Sequence, residues 1–191
     1  MDYTEIKKWL KKNLNEERYY HTIGTADCAK ELAAEYGLDC EKAYTAGLLH
    51  DCAKCFTKEK LTEIIANHLD VKKEEMLNKK TLHAPVSAYI AQKEFGITDC
   101  DILSAIRWHT LGKMDMNEFE KIVFLADKIE PNTREKEYCD KIRKILKEDN
   151  GLNKALLVCY KETIKSLVKR DLKICILTIE IYNKLQDLVQ N

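Results

Sequence analysis

Apolar residues recur three and four positions apart along almost the whole chain, and strand-like alternation is nearly absent. A period of 3.6 residues places such side chains on one face of an α-helix, so the spacing predicts a fold made of helices. Little in the sequence can interrupt them, because the 191 residues include only six glycines and two prolines. Those few breaks, with the capping residues beside them, divide the chain.

The first helix is expected from Thr4 to Leu14, the second from about Glu17 to Tyr36. The second puts Ile23, Ala26, Ala29, Ala33 and Tyr36 in one stripe and stops at Gly37, where a left-handed C-cap favours glycine. Asp39 caps a third helix, about Glu41 to Ala53, whose Ala43, Ala46 and Gly47 permit close packing. Thr57 caps a fourth through Asn67, and a weaker helical turn is expected from Val71 to Leu77. Pro85 suits the first turn of a helix, where its missing N–H costs nothing; His83 is therefore expected at or just before the start of a helix that ends near Gly96. Thr98 with Asp101 three residues on signals the N-terminus of a helix that ends around His109 and is broken by Leu111-Gly112. Asn117 begins the next, which stops near Glu130 because Pro131 turns its predecessor away from helical dihedrals. Three more cover Lys136–Glu148, Leu152–Lys169 and Leu172–Val189. At this length, with no Pro/Ser-rich linker, the expectation is an all-α, single-domain helical bundle over residues 1–191.

Thirty-two basic residues balance thirty-two acidic ones, so no global field favours nucleic acid or an anionic membrane. An anionic ligand must be caught by a local site. Met1 to Leu14 carries Lys7, Lys8, Lys11 and Lys12 around Trp9 and Leu10, which is not the pattern of a secretory signal. No apolar run approaches the roughly 20 residues that span a bilayer; Ile174–Ile181 is interrupted by Thr178 and Glu180. Eight scattered cysteines in a domain of this size are read as reduced thiols, and the protein as cytoplasmic. Cys52 and Cys55 form one C-x-x-C, read as helix-packing residues in the absence of a second such pair.

Chemistry concentrates on the histidines. Four of the five stand at or near expected helix ends: His21, His50 with Asp51, His83, and His109 with Thr110. Helix ends around a shared groove can aim ligands inward without burying unsatisfied backbone. His68 lacks such a setting and is expected at an exposed helix C-terminus, favoured by the dipole. Taken singly, each histidine is more simply a satisfied, partly buried side chain. Asp127 lies on the apolar stretch Phe124-Leu125-Ala126-Asp127-Lys128-Ile129, where a carboxylate requires a cation. That cation is Lys128, Lys54, or a metal if Asp127 reaches the histidines. A His/Asp set with few thiolates suits iron, manganese, cobalt or zinc in a reactive rather than a structural site.

The ordered set His21, His50-Asp51, His83, His109, Asp127 resembles the HD-domain hydrolases. Five longer words narrow the resemblance: Arg18-Tyr19-Tyr20-His21-Thr22, Ala46-Gly47-Leu48-Leu49-His50-Asp51-Cys52-Ala53-Lys54, Leu82-His83-Ala84-Pro85-Val86, Ala105-Ile106-Arg107-Trp108-His109-Thr110-Leu111-Gly112 and Lys121 through Pro131. Together they are similar to the bacterial YqeK family of symmetrical bis(5'-nucleosyl)-tetraphosphatases, which cut diadenosine tetraphosphate into two ADP. The resemblance implies a bundle of the HD-domain type, with a metal-site core over about residues 18–131 and C-terminal helices 136–189 packed on it. It implies that His21, His50, Asp51 and Asp127 hold a divalent metal, with iron the family's ion. His83 and His109 hold a second metal or contact phosphates, so one or two ions are expected. Arg18, Thr110 and Lys54 contact the nucleotide; Asp51 and Lys54 are the expected catalytic residues. The oligomeric state is left open between a monomer and a homodimer. Two departures stand out. Where the family has an arginine before a Phe-Pro-Gly-like turn, this chain reads Asn132-Thr133-Arg134-Glu135-Lys136, so Arg134 takes the substrate-binding role one residue displaced. Thr178, Glu180 and Asn183 match the family near the C-terminus, but Leu177 and Tyr182 replace a proline and an arginine. Other HD phosphohydrolase activities on nucleotides, and a nucleotide sensor without turnover, are the competing readings.

Overall fold

The structure, a computed structural model, describes residues 2–76 and 79–190. Among these it has ten α-helices and no strand, in agreement with the apolar spacing. They are α1 (Tyr3–Asn13), α2 (Glu16–Glu35), α3 (Cys40–Leu49), α4 (Lys58–His68), α5 (Lys79–Phe95), α6 (Cys100–Trp108), α7 (Glu118–Ile129), α8 (Lys136–Leu146), α9 (Gly151–Lys169) and α10 (Ile176–Gln190).

Local chemistry sets most of these limits. The Asp39 side chain accepts from the backbone N–H groups of Glu41 and Lys42, and that of Thr57 from Lys60. Asn117 and Glu120 form a reciprocal capping box at the start of α7. Gly37 has a φ of 66°, and the Leu38 N–H reaches back to the Ala33 carbonyl, closing α2 in a Schellman motif.

Four boundaries differ from expectation. α3 stops at Leu49, not Ala53, and the chain tightens into turns over residues 50–55. Asp99, not Thr98, caps α6, accepting from the N–H groups of Asp101 and Ile102. α10 begins at Ile176 rather than Leu172, because α9 closes with a Schellman motif of its own. There Asp171 adopts φ 51° without being glycine, and Leu172 N–H bonds the Leu167 carbonyl. Pro85 is not in a first turn but inside α5, which puts His83 within the helix. A proline there removes one N–H donor; the burial of Leu82, Ala84 and Val86 around it holds the helix together. The expected helical turn at Val71–Leu77 is a turn over residues 73–76, and Leu77 lies outside the described residues.

The core is centred on α7, whose Ile122, Val123, Phe124, Leu125, Ala126 and Ile129 are all buried. α7 packs against α2, α3, α6, α8 and α9, and α10 packs on α9. The alanine stripe of α2 meets the small residues of α3 so closely that a Cβ on Gly47 would lie 2.7 Å from the Ala26 Cα. No helix among the described residues is long and apolar enough to cross a membrane. All eight cysteines are free; Cys52 is buried with its thiol donating to the Ser87 carbonyl, while Cys55 is exposed. Burial pushes the Cys52 thiol up to about 12.

Candidate metal centre

His50 is the C-cap of α3 and His109 the C-cap of α6, and both are buried. Each turns its ring back on its own helix. His50 Nδ1 donates to the Gly47 carbonyl at 2.6 Å, and His109 Nδ1 to the Ile106 carbonyl at 2.7 Å. A carbonyl can only accept, so each Nδ1 carries the proton and each Nε2 presents a lone pair. Adjacent residues of a regular helix point about 100° apart, but α3 has ended at Leu49. The Cys52 and Lys54 N–H groups reach only three residues back, to the Leu49 and Asp51 carbonyls. This tight turn brings His50 Nε2 within 3.5 Å of Asp51 Oδ2.

From α2, the buried His21 Nε2 lies 3.3 Å from His50 Nε2, 3.9 Å from Asp51 Oδ2 and 2.9 Å from Asp127 Oδ1 of α7. Asp127 Oδ1 is also 3.7 Å from His50 Nε2. A second group shares the other Asp51 oxygen: Oδ1 is 2.9 Å from His83 Nε2 and 3.4 Å from His109 Nε2, with the two imidazole nitrogens 3.1 Å apart. In each trio, His21–His50–Asp51 and Asp51–His83–His109, the donor atoms all lie within 4.8 Å of one another. Nitrogen and oxygen ligands each about 2.1 Å from one ion stand roughly 3 to 3.4 Å apart; the Asp51–His83–His109 trio, at 2.9 to 3.4 Å, has this spacing, and the His21–His50–Asp51 trio, at 3.3 to 3.9 Å, is wider.

The charge states agree with such a centre. Burial pushes His50 down to about 3 and His83 down to about 4, so both are neutral near pH 7. Burial opposes ionisation of Asp51, yet its basic surroundings, His50 and Lys54 first and then His109 and His83, hold it well below the usual carboxylate range. Asp127 is likewise held low against its burial, by Lys128 and His21 first. For His21, burial is outweighed by the bonds to Asp127 and Glu130, and its pKa rises. Neutral His50 and His83 with ionised Asp51 and Asp127 suit a divalent cation, whereas at His21 an ion competes with a proton for the same nitrogen. Asp51 Oδ1 and His83 Nδ1 are two of three buried side-chain polar atoms without a well-aligned hydrogen bond among the described residues. Such an orphaned carboxylate oxygen is costly unless a cation faces it.

The expected contact residues gather on the same point. Arg18 Nη1 is 2.8 Å from Asp51 Oδ2, and Lys54 Nζ is 3.0 Å from His83 Nε2 and 3.4 Å from Asp51 Oδ1. Thr110 Oγ1 lies 3.2 Å from His83 Nε2 and 3.0 Å from His109 Nε2. Asp127 reaches both the histidines and a lysine, since Lys128 Nζ is 2.5 Å from its Oδ2; Lys54 pairs instead with Asp51. Arg134 Nε donates to the Asp127 carbonyl at 2.9 Å, and its Nη2 is 3.0 Å from Asp127 Oδ1. His68 stands apart, exposed at the end of α4 with its ring stacked on Tyr89.

Sequence reasoning missed Glu130. It is fully buried, accepts from the Asn132 and Thr133 N–H groups and the Thr133 hydroxyl, and lies 3.0 Å from His21 Nδ1. A signal existed: an acidic residue at the C-terminal cap of α7 faces the negative end of the helix dipole, so it needs a compensating partner. Tyr160 was also missed. Its hydroxyl donates to the Leu111 carbonyl at 2.7 Å and fixes the turn after His109, where Gly112 has φ 74°. Beside that turn lies a cavity of about 590 Å³ with Leu111, Phe124 and Tyr160 among its apolar walls and Thr110, Lys128 and Thr178 among its polar ones. Of the C-terminal matches, Thr178 lines this cavity, while Glu180 and Asn183 are exposed.

Comparison with known proteins gives this arrangement its relatives. The HD domain family matches residues 18–132, the span that carries every candidate ligand described above. The chain is 40% identical over 183 residues, 96% of its length and 97% of the relative's, to a Bacillus subtilis protein named symmetrical bis(5'-nucleosyl)-tetraphosphatase. A protein of the same name from Halalkalibacterium halodurans is 41% identical and covers 92% of both chains. A crystal structure from Clostridium acetobutylicum, titled a predicted HD superfamily hydrolase involved in NAD metabolism, superposes with a TM-score of 0.90 at 41% identity, covering 98% of each chain. With well over half its length matched and relatives of this identity end to end, the chain belongs to the HD-domain family and, within it, to the group of the symmetrical bis(5'-nucleosyl)-tetraphosphatases.

Proposed function

We infer that this protein is a metal-dependent hydrolase that cleaves dinucleoside tetraphosphates symmetrically, diadenosine tetraphosphate giving two ADP. One observation carries the reading. The whole set His21, His50, Asp51, His83, His109 and Asp127 stands intact around one carboxylate, in a chain 40% identical to proteins so named.

His21, His50, Asp51 and Asp127 hold a divalent ion in this reading, and the resemblance to the family makes it iron. Such an ion lowers the pKa of a water and offsets charge on the phosphoryl oxygens. The chain's own residues do the rest. Arg18, half-buried at the edge of the site, presents a guanidinium suited to bidentate grip of a phosphate. Lys54, whose burial lowers its pKa, and the Thr110 hydroxyl face the same space. Asp51 orients the attacking water from its position between the two trios, and Arg134 steadies Asp127 while its half-exposed guanidinium edge faces the substrate side. The cavity beside Thr110 offers apolar walls to a nucleoside and the Lys128 ammonium to its phosphates. A cytoplasmic location is consistent with eight free thiols.

Turnover of diadenosine tetraphosphate, run beside ATP, GTP and a cyclic dinucleotide, tests the reaction. ADP is expected as the sole product; ATP plus AMP would sink the reading. Glu130→Gln tests the buried support of His21, since a carboxylate behind a ligating imidazole fixes its orientation and basicity. The variant is expected to lose metal to a competing chelator about 10- to 100-fold more readily.

A further inference from the structure

Tyr160 of α9 lies outside the ligand set, yet it touches two of the segments that carry it. Its hydroxyl donates to the Leu111 carbonyl at 2.7 Å, in the turn that follows His109. Its ring lies nearly parallel to that of Phe124, with centroids 5.4 Å apart and planes at 8°, and Phe124 stands one turn of α7 before Asp127. The residue is buried, and burial raises the pKa of its phenol, so the hydroxyl remains a donor near neutral pH.

The turn it holds carries Thr110, whose hydroxyl is 3.2 Å from His83 Nε2 and 3.0 Å from His109 Nε2. α6 has already ended at Trp108, and the Gly112 N–H closes back on the Trp108 carbonyl at 2.7 Å. That local bond shapes the turn. The bond from Tyr160, 49 positions away in the chain, ties the turn to α9. A Cβ on Gly112 would overlap the Tyr160 hydroxyl, so the glycine that allows a φ of 74° also makes room for the bond.

We propose that Tyr160 is a positioning residue for hydrolysis: through the Leu111 carbonyl it sets the place of the Thr110 hydroxyl against the substrate, while its ring walls the cavity that receives a nucleoside. This rests on the reading that the protein cleaves a dinucleoside tetraphosphate with Thr110 facing it.

The two parts of the side chain divide the two roles. The ring supplies apolar surface beside Leu111 and Phe124 in the cavity of about 590 Å³, and so bears on binding. The hydroxyl acts on the backbone next to Thr110, and so bears on the reacting geometry, where a displacement of about 1 Å can cost up to about 100-fold in rate.

The test is steady-state turnover of diadenosine tetraphosphate by Tyr160→Phe, which removes the hydroxyl and keeps the ring. Turnover number is expected to fall about 10-fold, with KM within about twofold of the unaltered chain. A residue that only supported the fold would lower the melting temperature and leave kcat per folded molecule unchanged. Thr110→Ala supplies the second arm. Because Tyr160 acts through Thr110, adding Tyr160→Phe to Thr110→Ala should lower kcat by less than about a further twofold. Circular dichroism at the assay temperature checks folding; Gly112→Ala, which pushes the same hydroxyl off the carbonyl, replaces Tyr160→Phe if the latter does not fold and should show the same split between kcat and KM. An unchanged kcat in the folded variant, a loss confined to KM, or losses that multiply in the double variant overturn the proposal. No ADP from the unaltered chain fails the reading of the reaction itself, which separates the two failures.

Discussion

Asp51→Ala is expected to lower turnover of diadenosine tetraphosphate by at least about a thousandfold, on the order of 4 kcal/mol in the activation barrier. The size follows from position. Asp51 is the one residue common to both trios, and its two oxygens lie within 2.8 to 3.9 Å of Arg18, His21, His50, Lys54, His83 and His109. Removing it takes away, in the proposed reading, a metal ligand, and in any reading the carboxylate shared by the two trios and the counter-ion of Arg18 and Lys54. The hydrophobic core does not depend on this side chain, so the helical circular dichroism should persist. Metal content should fall in parallel with activity, and His68→Ala, remote on α4, should leave both unchanged. A folded Asp51→Ala protein that keeps more than a few per cent of turnover would show that the site has been misassigned.

Gly47→Val is expected to destabilise the protein by about 3 kcal/mol, lowering its melting temperature by roughly 10 °C. Helix propensity argues the reverse for the smaller change Gly47→Ala, which would gain about 1 kcal/mol in an exposed helix. Packing decides the sign. A Cβ at position 47 would lie 2.7 Å from the Ala26 Cα, 2.9 Å from the Thr25 carbonyl oxygen and 3.0 Å from the Ala26 nitrogen, all backbone atoms of α2. No flexible side chain can swing aside, so α2 and α3 must separate. The effect extends to the site, because the Gly47 carbonyl holds His50 Nδ1 and α2 carries His21. Thermal melts of both variants measure the first part and metal retention the second; a raised melting temperature for Gly47→Ala would contradict the close approach.

The sequence is most legible where a physical cause acts within a few residues. Thr57, Asp39 and Asn117 bond N–H groups two or three positions away, and Gly37 supplies a left-handed turn, so their helix limits stand close to expectation. The same locality explains the errors. Thr98 and Asp99 are both competent caps, and only the geometry of the chain selects Asp99. Pro85 costs a hydrogen bond inside a helix and none in a first turn, and only the burial of its neighbours shows that α5 tolerates it inside. Asp171 closes α9 without the glycine that would have announced the end.

The candidate ligands were visible as types in order, because their chemistry is carried by single side chains and by words of sequence around them. Their roles were not, because those depend on distances between residues far apart in the chain. His21 and Glu130 are 109 positions apart and in contact, a pairing no local pattern contains. His50 and Asp51 could chelate together only if α3 ended at Leu49, which is a matter of turn geometry. What the sequence determined by itself was a helical bundle, from its periodicity, and six candidate ligands, from residue chemistry and from the resemblance of the words around them to the HD-domain hydrolases, since all of these are local properties. Only the tertiary structure decided that Asp51 is shared by two trios and that Lys54 reaches both Asp51 and His83, since electrostatic contacts are set by separation in space.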